Sequence, residues 1–391
     1  MMVLRVGIVA GEASGDMLGA GLMKAMQAAT PCAFEGICGP AMAAEGGLSQ
    51  FPMEALSVMG ISEVVGRLSE LLRIRRDLIA YFRKVRPDVV IGIDAPDFTL
   101  ALERALRRDG IRTVHYVSPT VWAWRRYRVR TVAASADRLL TLFPFEPAYY
   151  AGRADAVFVG HPLADAIEAQ PSPDKARAEL RLDEGEMVIA LLPGSRVTEL
   201  RAHAELFVKA AQRLALRYPG CRFVAPFVNR ETLAIFDKAL TELKAFDLPI
   251  TRLHGHARLA MAAADVVLLA SGTASLEAAL IGRPMVVVYR LSPVTYGLAR
   301  LLSRAPYVSL PNLLLGRGVV PELLQDAATA DGLVRAAEGL LESPERRSQM
   351  TAAFVELREH LGHGANDRAA TAVLELAGAR PRPPVIASCA S

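Results

Sequence analysis

Three short stretches carry residue types that can hold an anion or move a proton. Ser271-Gly-Thr-Ala-Ser-Leu-Glu277 follows the apolar run Asp265-Val-Val-Leu-Leu-Ala270, which reads as a buried strand, and it opens a helix. Small residues at Ser271, Gly272, Thr273 and Ala274 let an anionic group approach the backbone. The free N–H groups of a helix start, with the positive end of its dipole, attract phosphate. Glu277 falls about one turn into that helix, where a carboxylate can accept hydrogen bonds from ribose hydroxyls. Pro193-Gly-Ser-Arg196 repeats the arrangement after Met187-Val-Ile-Ala-Leu-Leu192, and Arg196 adds a permanent cation suited to bidentate contact with a diphosphate. The pair of turns suggests one nucleotide diphosphate held from two sides, by Gly194, Ser195 and Arg196 and by Ser271, Gly272 and Thr273. The third stretch is Ile91-Gly-Ile-Asp-Ala-Pro-Asp-Phe98, at the carboxyl end of a strand. Asp94 is the candidate general base toward a sugar hydroxyl. Asp97, immediately before an apolar helix, suits an N-cap better, although either carboxylate could serve as one.

The elements that position these stretches alternate through both halves of the chain. Strands are expected near 4–10, 33–38, 88–93, 112–117, 138–142 and 156–159, then near 187–192, 222–227, 249–253, 265–269 and 285–289. Helices fill most gaps, at 15–28, 61–84, 98–108, 198–217, 230–243, 274–281, 293–303 and 346–376. This βα rhythm predicts parallel sheets covered on both faces, with ligands at the carboxyl ends of the strands. A chain of 391 residues suits two cores better than one. The polar, Pro-rich stretch Glu168-Ala-Gln-Pro-Ser-Pro-Asp-Lys175 is the best linker candidate. The expected division is a first domain over 1–167, a linker over 168–185, a second domain over 186–345, C-terminal helices over 346–378 and a disordered tail over 379–391. Two Rossmann-like domains facing each other across a cleft fit that layout.

Composition narrows the function classes. A hydrophobic content of 52% excludes a largely disordered protein, and 45 basic against 41 acidic residues do not by themselves argue for nucleic acid. No apolar run reaches the roughly 18 residues of a membrane span. Met1-Met-Val-Leu-Arg-Val-Gly-Ile-Val-Ala10 reads as a first strand rather than a signal peptide, so a cytoplasmic protein is expected. Cys32, Cys38, Cys221 and Cys389 have neither zinc-ligand spacing nor the look of a disulfide framework. They are expected to be reduced, with no metal bound.

Four further motifs each support two readings. Gly11-Glu-Ala-Ser-Gly-Asp16 lacks both the dinucleotide fingerprint and the P-loop lysine. It is a tight turn capped by Ser14 or Asp16, or a polar wall that contacts sugar or phosphate. His115-Tyr-Val-Ser-Pro-Thr-Val-Trp-Ala-Trp-Arg125 holds both tryptophans, which either pack under a loop or form a platform for sugar or acyl chain. His161, in Phe158-Val-Gly-His-Pro162, is a structural histidine or a ligand contact at the hinge. Over 58–86, Ile61, Val64, Val65, Leu68, Leu71 and Leu72 share helical spacing, among Arg67, Arg73, Arg75, Arg76, Arg83, Lys84 and Arg86. Such a helix docks on its sheet, or meets anionic lipid with its apolar side chains in the interface.

Taken together these blocks resemble the lipid-A-disaccharide synthase family. The matching residues also include Ala55-Leu-Ser-Val-Met-Gly60, Pro144-Phe-Glu146, Pro284-Met-Val-Val-Val-Tyr-Arg290 and Tyr307-Val-Ser-Leu-Pro-Asn312, in order over nearly all of the chain but its tail. The Ser-Gly-Thr block is common among nucleotide-sugar enzymes, whereas the tryptophan and Asp-Ala-Pro-Asp blocks are far more specific. The resemblance implies a GT-B fold with a final helix crossing back to the first domain. It implies UDP-2,3-diacylglucosamine and 2,3-diacylglucosamine 1-phosphate (lipid X) as substrates, and a β(1→6) disaccharide 1-phosphate and UDP as products. It further implies action without a bound metal or other cofactor, peripherally on the inner face of the inner membrane, and it allows a homodimer. By carry-over, Asp94 is the base, Arg196, Ser271, Gly272 and Thr273 hold the departing diphosphate, Glu277 holds the ribose and Asn312 lies near the donor. Ser14, Asp16, Asp97 and Trp122 fall on the acceptor side. A UDP-N-acetylglucosamine 2-epimerase, a lipid-intermediate glycosyltransferase of peptidoglycan synthesis and an inactive lipid-binding module are the rival readings. An NAD dehydrogenase is disfavoured by the missing fingerprint.

Overall fold

The structure, a computed structural model, describes residues 3–56, 61–122, 127–169, 171–183, 185–290 and 306–379, with the backbone alone over 61–67. The chain forms two compact units, Met1–Asp165 with Leu361–Ser391, and Ala166–His360.

The first unit is built on a seven-stranded sheet: β1 (Leu4–Ala10), β2 (Cys32–Ile37), β3 (Leu48–Ser49), β4 (Val89–Ile93), β5 (Arg112–Tyr116), β6 (Arg138–Thr141) and β7 (Asp155–Phe158). Its order is β3-β2-β1-β4-β5-β6-β7, and the neighbours pair in parallel. Strands β1 and β4 are apolar almost throughout because helices cover both faces. One face packs Leu22, Met23 and Met26 of helix Ala13–Ala29 with Ala369, Ala370 and Val373 of helix Ala365–Ala377. The other packs Ile74, Leu78 and Phe82 of helix Ile61–Val85 with Leu102 and Leu106 of helix Pro96–Arg108. The strand order reverses between β1 and β4, so the loops after Ala10 and Ile93 leave the sheet at a topological switch point. They sit close together, since a Cβ on Gly11 would stand 3.1 Å from Ala95 Cβ.

The second unit repeats the plan with β8 (Val188–Leu192), β9 (Arg222–Phe227), β10 (Ile250–His254), β11 (Val266–Ala270), β12 (Met285–Tyr289) and β13 (Glu322–Leu324), in the order β10-β9-β8-β11-β12-β13. Its reversal falls between β8 and β11, which brings the turns after Leu192 and Ala270 side by side.

The boundaries differ from the expected ones. The stretch 168–185 carries helix Pro173–Glu179, whose Arg177 is buried and bonds Ala263 O at 3.0 Å and Asp265 at 3.0 Å. That segment is part of the second unit, and the polar composition reflects a short surface helix. The expected helical stretch 346–376 is two helices, Pro344–Leu361 in the second unit and Ala365–Ala377 in the first, broken at left-handed Gly362 and Gly364. The helix expected at 293–303 and the tail from 380 lie outside the described residues.

The return of the chain explains the Gly-His-Pro motif. Gly160 has a φ of 90°, and a Cβ there would meet Arg368 at 2.2 Å and Leu361 O at 2.8 Å. Asp165 caps the final helix by accepting from Gly364 N at 3.0 Å and Ala365 N at 2.8 Å. His161 is buried beside it, and its Nδ1 accepts from Leu163 N at 3.2 Å. Desolvation pulls the imidazole down to about 4, so it is neutral at physiological pH.

Candidate functional site

In the second unit the turn after β11 is open. Gly272 has a φ of 148°, a conformation that L side chains rarely adopt, and helix Thr273–Ile281 starts at the next residue. Gly272 and Thr273 are exposed. Ser271 N is used by Val288 O at 3.0 Å and Ser275 N by Gly272 O at 3.1 Å. Among the described residues no acceptor takes the amides of Gly272, Thr273 and Ala274. This is the anion-binding geometry of an uncapped helix N-terminus. Glu277 follows on the same helix, its Oε2 3.2 Å from Arg258 Nε.

The turn after β8 is filled by the chain itself. Glu199 Oε2 accepts from Ser195 N at 2.9 Å and Arg196 N at 3.2 Å. Gly194, at a φ of 139°, is glycine because a Cβ would fall 2.5 Å from Glu199 Cβ. A side-chain carboxylate thus occupies the backbone donors of Ser195 and Arg196 that were expected to face a diphosphate. What the turn offers outward is the Arg196 guanidinium, 65% exposed and 3.9 Å from Glu199 Oε1.

Asn312, expected near the donor, is engaged within the chain. It is buried in helix Leu310–Leu315. Its Oδ1 accepts from Val319 N and Val320 N, both at 2.8 Å, and its Nδ2 donates to Val320 O at 2.9 Å and Glu322 Oε1 at 2.8 Å. Every donor and acceptor of the amide is used, leaving none for a ligand. Glu322 was missed by sequence reasoning. It also accepts from Val308 N at 3.0 Å, Ser309 N at 2.9 Å and Ser309 Oγ at 2.7 Å, tying residues 308–312 to the sheet edge. Val308 O in turn accepts from Ser271 Oγ at 3.4 Å. The signal was a lone carboxylate in the apolar run Val319-Val-Pro-Glu-Leu-Leu324.

In the first unit Asp94 comes directly after β4 with a φ of 50°, and Ala95 follows at 44°. Left-handed backbone costs L-residues roughly 1–2 kcal/mol each. Such outliers persist where the surroundings over-determine them. The Asp94 amide donates to Tyr116 O at 2.9 Å, and its carbonyl accepts from Thr99 Oγ1 at 2.7 Å. Its carboxylate is half-exposed and has no partner among the described residues. Asp97 is not the cap of helix Pro96–Arg108, since Ala95 holds the N-cap position and Asp97 pairs with Arg128 at 2.5 Å.

The other acceptor-side residues separate. Asp16 is buried and accepts from Gly39 N at 3.0 Å, Ala41 N at 2.8 Å and Met42 N at 3.0 Å, so it organises the loop after β2 rather than facing a ligand. Ser14 is exposed in the first turn of its helix, whose N-cap is Glu12, so neither Ser14 nor Asp16 caps it. Trp122 is half-buried and meets Phe145 edge to face at 5.7 Å. Its indole Nε1 is buried and faces Glu146. Glu146 is buried and accepts from Leu142 N at 3.1 Å and Phe143 N at 3.0 Å. Burial pushes its carboxyl up to about 7 against those amides. Trp124, Arg125 and Arg126 lie outside the described residues.

Of the lipid-contact residues, the side chains of Ile61, Val64 and Val65 are outside the described set. Leu68 and Leu72 are 48% and 44% exposed, one turn apart, while Leu71 is half-buried and Ile74 and Leu78 enter the core. No described helix is long and apolar enough to cross a membrane. Among the described residues no group of three or more His, Cys, Asp or Glu side chains could hold a metal ion.

The family model described as lipid-A-disaccharide synthetase matches residues 6–376. The lipid-A-disaccharide synthase of Azotobacter vinelandii is 53% identical over 378 residues, covering 96% of this chain and 98% of that one. A solved UDP-GlcNAc 2-epimerase from Neisseria meningitidis, bound to UDP-GlcNAc, superposes with a TM-score of 0.63 at 13% identity, covering 96% and 99% of the two chains. MurG of Acinetobacter baumannii gives 0.59 at 14%, covering 96% and 100%. The last two likenesses show the fold alone, two parallel α/β units of GT-B type. At half identity over almost the whole length, the chain belongs to the lipid-A-disaccharide synthase family of glycosyltransferases.

Proposed function

We propose that the chain transfers 2,3-diacylglucosamine from UDP-2,3-diacylglucosamine to lipid X, forming the β(1→6) disaccharide 1-phosphate and UDP. Family membership supports glycosyl transfer to make lipid A disaccharide. The observation that carries the finer reading is Asp94: an unpaired carboxylate, in a left-handed turn, at the switch point of its sheet.

An α-linked donor and a β-linked product require one in-line displacement. Asp94 takes the proton of the acceptor 6-hydroxyl as that oxygen bonds the anomeric carbon. The bond from that carbon to the phosphate oxygen breaks, and its electron pair leaves with UDP. The amides of Gly272, Thr273 and Ala274 and the Arg196 guanidinium then face the negative charge that develops on the diphosphate. Glu277, with one carboxylate oxygen beside Arg258, is left to accept from the ribose through the other. Exposed Leu68 and Leu72, with exposed Arg73 and Arg76 on the same helix, suit peripheral contact with anionic lipid on the cytoplasmic face of the membrane.

The test is turnover of purified protein with both substrates, following UDP release and the disaccharide by mass spectrometry. Asp94→Asn should lower turnover by at least about three orders of magnitude, the scale of general-base loss, while calorimetry shows UDP binding unchanged. Near-normal turnover of that variant removes the base assignment. UDP release without disaccharide moves the reading to hydrolysis or another acceptor.

A further inference from the structure

Beneath the Asp94 turn lies a polar pair that the displacement does not use. His115 on β5 and Glu103 in helix Pro96–Arg108 are both 0% exposed, with Nδ1 and Oε1 2.8 Å apart. Two more atoms of the same pair, Glu103 Oε2 and His115 Nε2, are buried without partners among the described residues. Burial pushes the Glu103 carboxyl above its ordinary range, with His115 opposing the shift. An incompletely satisfied pair inside an apolar layer is rarely the most stable choice, and a well-packed apolar pair of similar volume often does better. Its presence calls for an explanation other than stability.

The pair is placed where Asp94 needs support. Gly92 on β4 is the register partner of His115, and a Cβ on Gly92 would come within 2.0 Å of Glu103 Oε1 and 2.9 Å of Thr99 Cβ. Asp94 is two residues further on, in the turn that follows that strand. Thr99, one helical turn before Glu103, donates through Oγ1 to the carbonyls of Asp94 at 2.7 Å and Ala95 at 3.1 Å. The Asp94 amide is held by Tyr116 O, the residue after His115. Helix, strand β5 and the left-handed turn thus form one connected set of directional bonds. Apolar packing between helix and sheet tolerates sliding, whereas a hydrogen bond across the layer fixes the position of the helix along its axis.

We propose that the Glu103–His115 pair is a positioning element for Asp94: it fixes the helix that begins at Pro96, so that the strained turn presents the carboxylate at one setting. This rests on the reading of Asp94 as the base. The experiment compares the full-length protein with Glu103→Leu/His115→Phe, an apolar replacement of both groups, and with Thr99→Val, which keeps the pair and cuts its link to the turn. Asp94→Asn is run in parallel. Both variants should bind UDP as the unaltered protein does and keep KM for lipid X within about threefold, while kcat falls at least about tenfold, as misplacement of a reacting group predicts. Normal kcat in folded Glu103→Leu/His115→Phe, or in Thr99→Val should the double variant fail to fold, overturns the proposal, provided Asp94→Asn is inactive. An active Asp94→Asn overturns the base reading, and the positioning role with it.

Discussion

Two neighbouring turns in the second sheet start from the same design and end differently. After β11 the chain leaves three amides open at Gly272, Thr273 and Ala274; after β8 it closes the equivalent donors with Glu199. The difference is one of spacing. Glu199 is the third residue of its helix, where a carboxylate reaches back to the N-cap. Glu277 is the fifth residue of its own helix and cannot reach back to those amides. In these two turns, a glycine and a helix start leave their amides open only where the chain carries no anion of its own at the third position. Glu146 extends the comparison to the first unit, where it closes the amides of Leu142 and Phe143 after β6, in a buried setting.

If the closed turn acts through Arg196 alone, Arg196→Ala should lower kcat about 100- to 1000-fold, the scale of losing one donor to a leaving oxyanion. A loss below threefold, measured under saturating donor, would mean that the open turn suffices. The buried closed turn is titratable. Because the folded Glu146 carboxyl is raised to about 7 from an ordinary 4.5, the native state holds more protons than the unfolded state between those values. Stability from this group is present below that window and is lost as pH rises through it, by about 3 kcal/mol in all. Glu146→Gln should remove that dependence; His161 acts with opposite sign between about 4 and 6.5 but is common to both proteins. Parallel melting curves from pH 4.5 to 8 would contradict the buried-carboxylate reading.

Smaller effects come from the turns themselves. Gly272→Val forces a branched side chain into a backbone that only glycine adopts freely, and should weaken UDP binding roughly tenfold by calorimetry. Unchanged affinity would show that the open amides are not the diphosphate site. Glu199→Ala should cost about 1 kcal/mol of stability, as loss of a cap does, with UDP affinity held within about twofold. A large loss of affinity would mean that Glu199 aims Arg196, erasing the distinction between the turns.

Much of the fold was legible because apolar runs end where the polar motifs begin. The apolar runs at 187–192 and 265–269 predict the strands, and the residues after them form the closed and the open turn. Asp94 was visible as a carboxylate at a strand end. What was not visible was competition within the chain for the same donors. Asp16, Asn312 and Asp97 look like ligand residues because they are polar and fall in the first turn of a helix, yet each is engaged by backbone amides or by an arginine. Glu322 and the Glu103–His115 pair were hidden for the opposite reason, being polar residues inside strands and a helix. The stretch 168–185 has the composition of a linker because a short helix capped by Ser172 with proline in its first turn and a flexible linker use the same residues.

The return of helix Ala365–Ala377 to the first unit has a consequence for biosynthesis. The second unit is one continuous stretch, 166–360, whereas the first needs residues from both ends of the chain. At about 5–20 residues per second, the interval between the two halves of the first unit is on the order of tens of seconds. During that time Leu22 and Met26 lack the alanines that cover them in the finished protein. The later-born unit is thus the one able to close first, and the nascent N-terminal half must wait, partly uncovered, for its last helix.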